Sequence, residues 1–264
     1  MKLTFLQALV NPFANKESAS PDNIEKKVTA KRDGKLEAAF NKYNRLEYRE
    51  SDGKSDEYIE SRFKEIAKLN PETLTPAQID IFLNRVIKET KPWKLEAAFT
   101  GMYLSYLIQL SYNSGHNDFH LTTADSKLDD LLIEVGGSEK RRLKAHIFGQ
   151  YCSDVGRRAK YLDLVVDGRV GHIGIDASYS SFNVNGDVST MCGWASMYCD
   201  FVVTGDVDEI IGDSQHCTYT IEGKFSGLSN VRNCTFQTHN PETYEKMMAS
   251  VKFKPRGNKV ILLK

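Results

Sequence analysis

The sequence lacks an excess of charge of either sign, because its 264 residues include 35 Lys and Arg and 35 Asp and Glu. A chain with zero formal net charge has no overall attraction for nucleic acid or an anionic membrane, so neither partner is indicated. The sequence also lacks an uninterrupted apolar run of about 18 residues, the length needed to cross a bilayer. Lys2 and the mostly apolar residues 3–10 weakly resemble a signal peptide, but Asn11 and Pro12 end the run and no small-residue cleavage site follows. These features favour a soluble, cytoplasmic protein.

A disulfide framework is also absent. The chain has five cysteines, an odd number, and Cys199, Cys217 and Cys234 follow one another at the spacing of an internal repeat. This spacing predicts buried, reduced thiols that pack as small apolar side chains. Zinc is disfavoured on this row, because Cys199 and Cys234 would lie about 9.6 Å apart, whereas two sulfurs on one zinc ion lie at most about 4.6 Å apart.

Familiar catalytic motifs are missing as well, including the phosphate-binding loop, HExxH, GxSxG and CxxC. His116 and His120 are four residues apart, but the intervening Asn-Asp-Phe predicts a loop entering a strand, where this spacing gives no shared face. Cys192 precedes a second corner glycine, Gly193, and the sequence leaves its exposure open. No base is placed beside it, so it is not predicted to be a nucleophile. We therefore predict no catalytic residue, no metal and no cofactor.

The C-terminal half contains a repeat of 17 to 19 residues. Six strand-like alternations lead into equivalent corner positions: Gly149, Gly168, Gly186, Gly205, Gly223 and Asn240. A period this short holds about one coil of a stacked sheet, so it predicts a β-solenoid. Glycine adopts left-handed or strained turns at little cost and asparagine tolerates them, so we expect such a turn at each corner.

The residues two, four and six positions before each corner share one parity and are mostly apolar. One such row consists of Ala145, Leu164, Phe182, Phe201, Tyr219 and Phe236, and the row six positions before the corners includes the three cysteines. In a strand these rows point to one face, and the alternate, mainly polar rows point to the other. Stacking of coils at roughly 4.8 Å therefore predicts aromatic and cysteine ladders inside the solenoid.

Two of these coils resemble a known repeat. The segments FVVTGDVDEIIG (201–212) and FNVNGDV (182–188) are similar to the GXGXG β-helix found at the C-terminus of the large polypeptide of glutamate synthase and in one component of formylmethanofuran dehydrogenase. The resemblance covers roughly residues 143–240, and the glycine pair that precedes each strand in that family is replaced here by Tyr198-Cys199 or His216-Cys217. It implies a structural or interfacial domain and transfers no catalytic residue.

The whole sequence predicts an α+β fold, with a helical N-terminal domain followed by the solenoid. Helix starts are predicted at Ser55, at Thr75-Pro76 and at Asn240-Pro241, because each pairs a capping side chain with an acid or a proline in the first turn. The predicted plan is a loose leader (1–34), a helical domain (35–112), a connecting region or imperfect first coil (113–142), the solenoid (143–240), and a capping helix with a hairpin (241–264).

One outward row is unusual, because large aromatic residues stand where polar ones are expected. Seven positions before the corners lie Tyr161, Tyr179, Tyr198, His216 and Asn233. Stacked tyrosines are typical of a packing ladder, but they can also form a surface that binds a partner, a sugar or a base.

The function predicted from these features is that of a non-catalytic scaffold that presents a surface to a protein partner. Two alternatives are an accessory subunit of a larger, redox or metal-containing enzyme and a module that binds a glycan or nucleotide through the tyrosine row. The oligomeric state is left open.

Overall fold

The structure is a computed structural model that describes residues 33–46, 55–90, 98–124, 126–253 and 256–264. The predicted leader lies almost wholly outside these ranges. Within these ranges, four helices come first, followed by parallel strands and a fifth helix. The first four helices are α1 (Gly34–Asn44), α2 (Asp56–Lys68), α3 (Pro76–Glu89) and α4 (Ala98–Asn113).

The predicted helix starts at Ser55 and Thr75 are confirmed. The Ser55 hydroxyl accepts a hydrogen bond from the Tyr58 N–H, and Thr75 forms a reciprocal capping box with Gln78. The core of α1, α3 and α4 is aromatic, with ring centroids 5.6 to 6.3 Å apart among Phe40, Tyr43, Phe82, Phe99 and Tyr103. Close packing of such rings contributes beyond the area that they bury.

In the part of the chain that the structure describes, the solenoid contains eleven strands, all paired in parallel. The first three strands are the longest, and strands β4 to β10 alternate between two sheets. The strands are β1 (Asp118–Ala124), β2 (Leu143–Val155), β3 (Leu162–Ile173), β4 (Ser181–Asn185), β5 (Val188–Cys192), β6 (Asp200–Val203), β7 (Val207–Gly212), β8 (Thr218–Ile221), β9 (Phe225–Ser229), β10 (Thr235–Thr238) and β11 (Lys259–Leu262).

The first sheet contains β11, β10, β8, β6 and β4, continuing into the N-terminal parts of β3 and β2 and then β1. The second sheet contains β9, β7 and β5 and the C-terminal parts of β3 and β2. A third line of single parallel bridges joins successive coils through Gly136, Lys160, Ser178, Met197, Gln215 and Arg232. Each coil therefore has three sides.

The predicted register is confirmed along the first sheet. Phe182 pairs with Phe201 and Phe201 pairs with Tyr219, and their rings stack with centroids 5.0 and 4.9 Å apart. Phe201 is 1% exposed, whereas the neighbouring Val202 is 36% exposed. The alternation of apolar and polar residues thus identified the inner and outer faces.

Strand β1 and residues 126–142 form a coil that pairs with the following one. β1 pairs in parallel with β2, and Leu128, Leu131 and Gly136 bridge to the following coil. Helix α4 packs on this coil, where the Gly136 N–H donates to Gln109 Oε1 at 2.7 Å. The helical region and the solenoid therefore share one continuous core, in which Phe99 and Leu107 lie with Leu131 and Val155.

The C-terminal segment forms α5 (Pro241–Phe253) and then β11. Asn240 caps α5, since its Oδ1 accepts hydrogen bonds from the N–H groups of Glu242 and Thr243. The expected hairpin does not form, because α5 extends to Phe253 and β11 adds to β10 as a further parallel strand. Pairing with β10 continues the stacked sheet, whereas a hairpin would leave the edge of β10 uncovered.

The corner glycines lie at the predicted bends, but the reason predicted for them is wrong. Among the five, only Gly168 has a positive φ, at 151°. At the other corners that can be compared, successive coils approach closely: a Cβ built on Gly205 would lie 2.6 Å from the Gly186 carbonyl oxygen, and one on Gly186 or Gly223 would also overlap the preceding coil. These positions require a hydrogen atom in place of a side chain.

Within the described ranges, every helix is too short or too polar to span a bilayer.

Candidate functional site

The tyrosine row occupies a left-handed corner of the solenoid. The φ angles of Tyr161, Tyr179, Tyr198, His216 and Asn233 all lie between 52° and 55°. Each of these residues donates its N–H to the next coil; the Tyr179 N–H, for example, donates to the Met197 carbonyl oxygen at 3.0 Å. The backbone bond to the next coil and the left-handed turn together direct successive side chains to one edge of the solenoid.

The rings of Tyr161, Tyr179, Tyr198 and His216 form a continuous stack, which we name the tyrosine ladder. Successive ring centroids are 5.2, 5.1 and 4.9 Å apart, and the planes differ by 17°, 6° and 6°. A left-handed backbone costs a residue with a Cβ roughly 1–2 kcal/mol. One aromatic pair contributes about 0.5–1.5 kcal/mol, so an inner ring with two stacked neighbours can offset that cost.

The ladder is exposed although it is aromatic. Tyr179 is 41% exposed and Tyr198 is 46% exposed, and the adjacent Met197 is 41% exposed. Leu162 and Cys199, which follow Tyr161 and Tyr198 in the sequence, are buried. Tyr179, Tyr198 and Met197 therefore form a contiguous apolar stripe on the described surface, anchored by a buried row beneath it.

Lys160 lies at one end of this stripe. Its ammonium group is 5.6 Å from the ring centroid of Tyr161 and 5.9 Å from that of Tyr179. The ammonium group is thus close enough to be attracted by the negative face of the Tyr161 ring, whereas the faces of the Tyr179 ring are covered by its neighbours. At the opposite end, Arg232 occupies the equivalent position and is also exposed.

The stacking decides which contacts the ladder can make. Both faces of the Tyr179 and Tyr198 rings are covered by neighbouring rings, so a sugar or a base cannot stack on them. The ring edges and hydroxyl groups remain accessible, together with the Met197 side chain. Such a surface fits the side chains of a protein better than a flat ligand, because tyrosine and methionine edges bury apolar area and the hydroxyls offer hydrogen bonds.

The residues considered for catalysis are not brought together. Cys192 is buried, and burial raises the pKa of its thiol, so it is a poor nucleophile. Cys199, Cys217 and Cys234 are also buried, and their thiols donate to the carbonyl oxygens of Met197, Gln215 and Arg232, respectively.

The two histidines of the candidate metal pair lie in different structural elements. His116 lies in the loop after α4, whereas His120 lies on β1 with its Nε2 3.5 Å from Asp118 Oδ1. No group of three or more His, Cys, Asp or Glu side chains in the described ranges is arranged to hold a metal ion.

No protein-family model, curated protein or solved structure matches this chain.

Sequence reasoning placed the four aromatic residues in one outward row but missed their left-handed backbone. A signal was available, because His216 and Asn233 continue the row and both residue types are enriched at positive φ. It also missed the contribution of Met197, because this residue belongs to the third side of the coil, where single bridges leave no alternating pattern.

Proposed function

We propose that this protein is a non-catalytic β-solenoid scaffold that binds a protein partner through the tyrosine ladder. The observation that carries the proposal is the contiguous exposed stripe of Tyr179, Tyr198 and Met197. Apolar stripes on rigid supports are typical of interaction sites, and tyrosine is among the residues that contribute most to binding energy. The rungs beneath the stripe hold the rings in place, so little side-chain entropy is lost on binding.

The GXGXG type of repeat and a cytoplasmic location belong to the same proposal. The Gly-Asp-Val corners at 186–188 and 205–207 support the repeat type, because both glycines lie where a side chain would overlap the preceding coil. The buried, unpaired thiols support a reducing compartment.

The proposal is tested by partner capture with the double variant Tyr179→Ser/Tyr198→Ser. Loss of two hot-spot rings should lower the amount of partner recovered from a cell extract at least about tenfold, as quantified by mass spectrometry. Circular dichroism should still show a folded β-sheet protein, although its thermal midpoint should fall, because the lost stacking no longer offsets the left-handed backbone strain.

The matched control is Val202→Ser/Thr220→Ser, on the outer face of the first sheet. These residues are also accessible but lie on a different side of the coil. The control should recover the same proteins as the parent. Equal recovery by a folded ladder variant would contradict the proposal, and loss of folding in that variant would assign the ladder a packing role alone.

A further inference from the structure

Strand β11 leaves an open edge at the C-terminal end of the first sheet. Within the described ranges it pairs only with β10. The Lys259 N–H donates to the carbonyl oxygen of Cys234, just before β10, and the Leu263 N–H donates to that of Thr238 in β10, at 2.9 Å each. Because alternate residues of a strand turn to opposite sides, Val260 and Leu262 direct their N–H and C=O groups to the open edge.

The opposite end of the sheet is arranged differently. The Thr122 N–H of β1 donates to Asp80 Oδ1 of α3 at 3.0 Å, and α3 packs along this strand. A helix side chain thus satisfies the backbone at the first strand. Helix α5 packs beside β11, but within the described ranges the β11 backbone receives no hydrogen bond from it, so its edge remains able to pair with another strand, as unpaired sheet edges do.

The side chains of β11 continue the solenoid core without completing it. Val260 pairs with Phe236 and Leu262 pairs with Thr238, so both extend interior rows. Thr238 is fully buried, whereas Leu262 is 43% exposed because no further rung covers it. On the outer face, Ile261 is 42% exposed. An added strand would therefore need apolar residues at alternate positions.

Charge distinguishes between possible occupants of the edge. Residues 251–264 contain five basic residues and no acidic residue: Lys252, Lys254, Arg256, Lys259 and Lys264. Arg256, Lys259 and Lys264 are exposed, and the β10 residues beside β11 on the outer face, Thr235 and Gln237, are uncharged. A second copy of the chain would bring two basic edges together, whereas an acidic strand would complement this one.

We propose that the open edge of β11 binds an extended segment of another protein in which apolar residues alternate with Asp or Glu. The segment adds to the first sheet as its next strand. Its apolar residues cover Val260 and Leu262, and its carboxylates lie beside Lys259. This site is independent of the tyrosine ladder, on a different part of the coil, so either can fail without the other.

The test uses the full chain and a fluorescent, end-blocked peptide of about six residues that alternates Val and Glu, with binding followed by fluorescence anisotropy. The control peptide carries Lys in place of Glu. The Glu peptide should bind saturably and at least about tenfold more tightly than the Lys peptide. Equal affinity for the two peptides, or no binding of either, would overturn the proposal.

Two variants of β11 sharpen the test. Leu262→Pro removes an N–H that points only to the open edge, so the bonds to β10 persist and circular dichroism should match the parent. It should abolish binding of the Glu peptide, whereas Leu262→Ala, which keeps the N–H, should weaken it less. Undiminished binding by a folded Leu262→Pro variant would show that the peptide does not add as a strand.

Lys259→Glu should reverse the preference between the Glu and Lys peptides. If Lys259 only prevents edges from associating, this variant will bind the Glu peptide as the parent does, which would contradict the proposal. Light scattering after size-exclusion chromatography tests the other possible occupant of the edge, a second copy of the chain. A parent dimer that becomes a monomer in Leu262→Pro would assign the edge to a second copy of the chain and overturn the proposal.

Discussion

At the residue scale, the solenoid has two kinds of special backbone position: glycines that have no room for a side chain and residues that adopt a left-handed backbone. The sequence repeat alone does not distinguish the two. Gly205 donates its N–H to the Gly186 carbonyl oxygen at 3.0 Å, and a Cβ at Gly205 would overlap that oxygen and the Asp187 carboxylate. The left-handed backbone is found instead at Tyr179, Tyr198 and their neighbours in the row. Contact between coils excludes a side chain at the glycines, and stacking compensates for backbone strain at the tyrosines.

Gly205→Ala should therefore destabilise the protein by more than the ~1 kcal/mol typical of point substitutions, because backbone atoms of the preceding coil must move. Gly205→Asn should be at least as harmful, since the position does not call for a left-handed turn. Gly136→Ala is the matched control, because nothing lies within 4 Å of its added Cβ. Urea denaturation should place the control within about 0.5 kcal/mol of the parent. A stable Gly205→Asn variant beside a destabilised Gly205→Ala would restore the left-handed explanation.

The buried thiols predict a pH dependence. Desolvation by burial raises the pKa of Cys152 from 9.0 to about 12. Between these values the folded state retains a proton that the unfolded state releases, so the contribution of this thiol to the free energy of unfolding should be constant below pH 9 and fall as pH rises towards 12. One such group contributes a slope of up to about 1.4 kcal/mol per pH unit.

The measurement compares urea melts of the parent and of Cys152→Ala from pH 8 to pH 11. The variant should be less stable at pH 8, because a cavity is left, and it should lose less stability than the parent as pH rises. Parallel curves for the two proteins would show that this thiol does not titrate differently on unfolding.

At the scale of the element, each coil has a second left-handed position three residues before the ladder. It is occupied by Arg158, Asp176, Ala195, Asp213 and Asn230, with φ between 52° and 58°. The charged residues and Asn230 can reach neighbouring groups, and Arg158 pairs with Glu134 at 2.9 Å. Ala195 has no polar group to compensate for the strain.

Ala195→Gly should consequently stabilise the protein by roughly 0.5–1 kcal/mol, because the left-handed penalty exceeds the entropy lost by glycine. Ala177 provides the control, since it is buried and is not at positive φ. Ala177→Gly should destabilise by about 1 kcal/mol. A lower midpoint of urea denaturation for Ala195→Gly than for the parent would contradict this assignment of strain.

The strands of the first sheet could be predicted from the sequence because burial on one face imposes a period of two. Phe182, Phe201 and Tyr219 stack as their row predicts. The third side of the coil could not be predicted, because isolated bridges at Ser178 and Met197 impose no period. For β11, the sequence KVIL is compatible with either a hairpin or a parallel strand, and the choice depends on the free edge of β10.

At the scale of the whole molecule, the ends of the solenoid differ while its sides are continuous. Helices α3 and α4 cover the first coil, and α5 packs on β9, β10 and β11. β11 is left with an open edge within the described ranges. The candidate site could be predicted as a row of four aromatic residues, but its exposure could not, because exposure depends on the left-handed turn and on Met197 in another row.

The central claim, that the tyrosine ladder contacts a protein, is tested most directly by crosslinking from a defined position. A photoreactive benzoylphenylalanine replaces Ser178, which lies between Lys160 and Met197 beside the ladder, or Thr220, which lies on the outer face of the first sheet. Irradiation in cells should crosslink a partner from position 178 and not from position 220, and Tyr179→Ser/Tyr198→Ser should remove that crosslink. Crosslinking of the same partner from position 220 alone, or a position-178 crosslink that persists in the folded double variant, would contradict the assignment of the ladder as the binding surface.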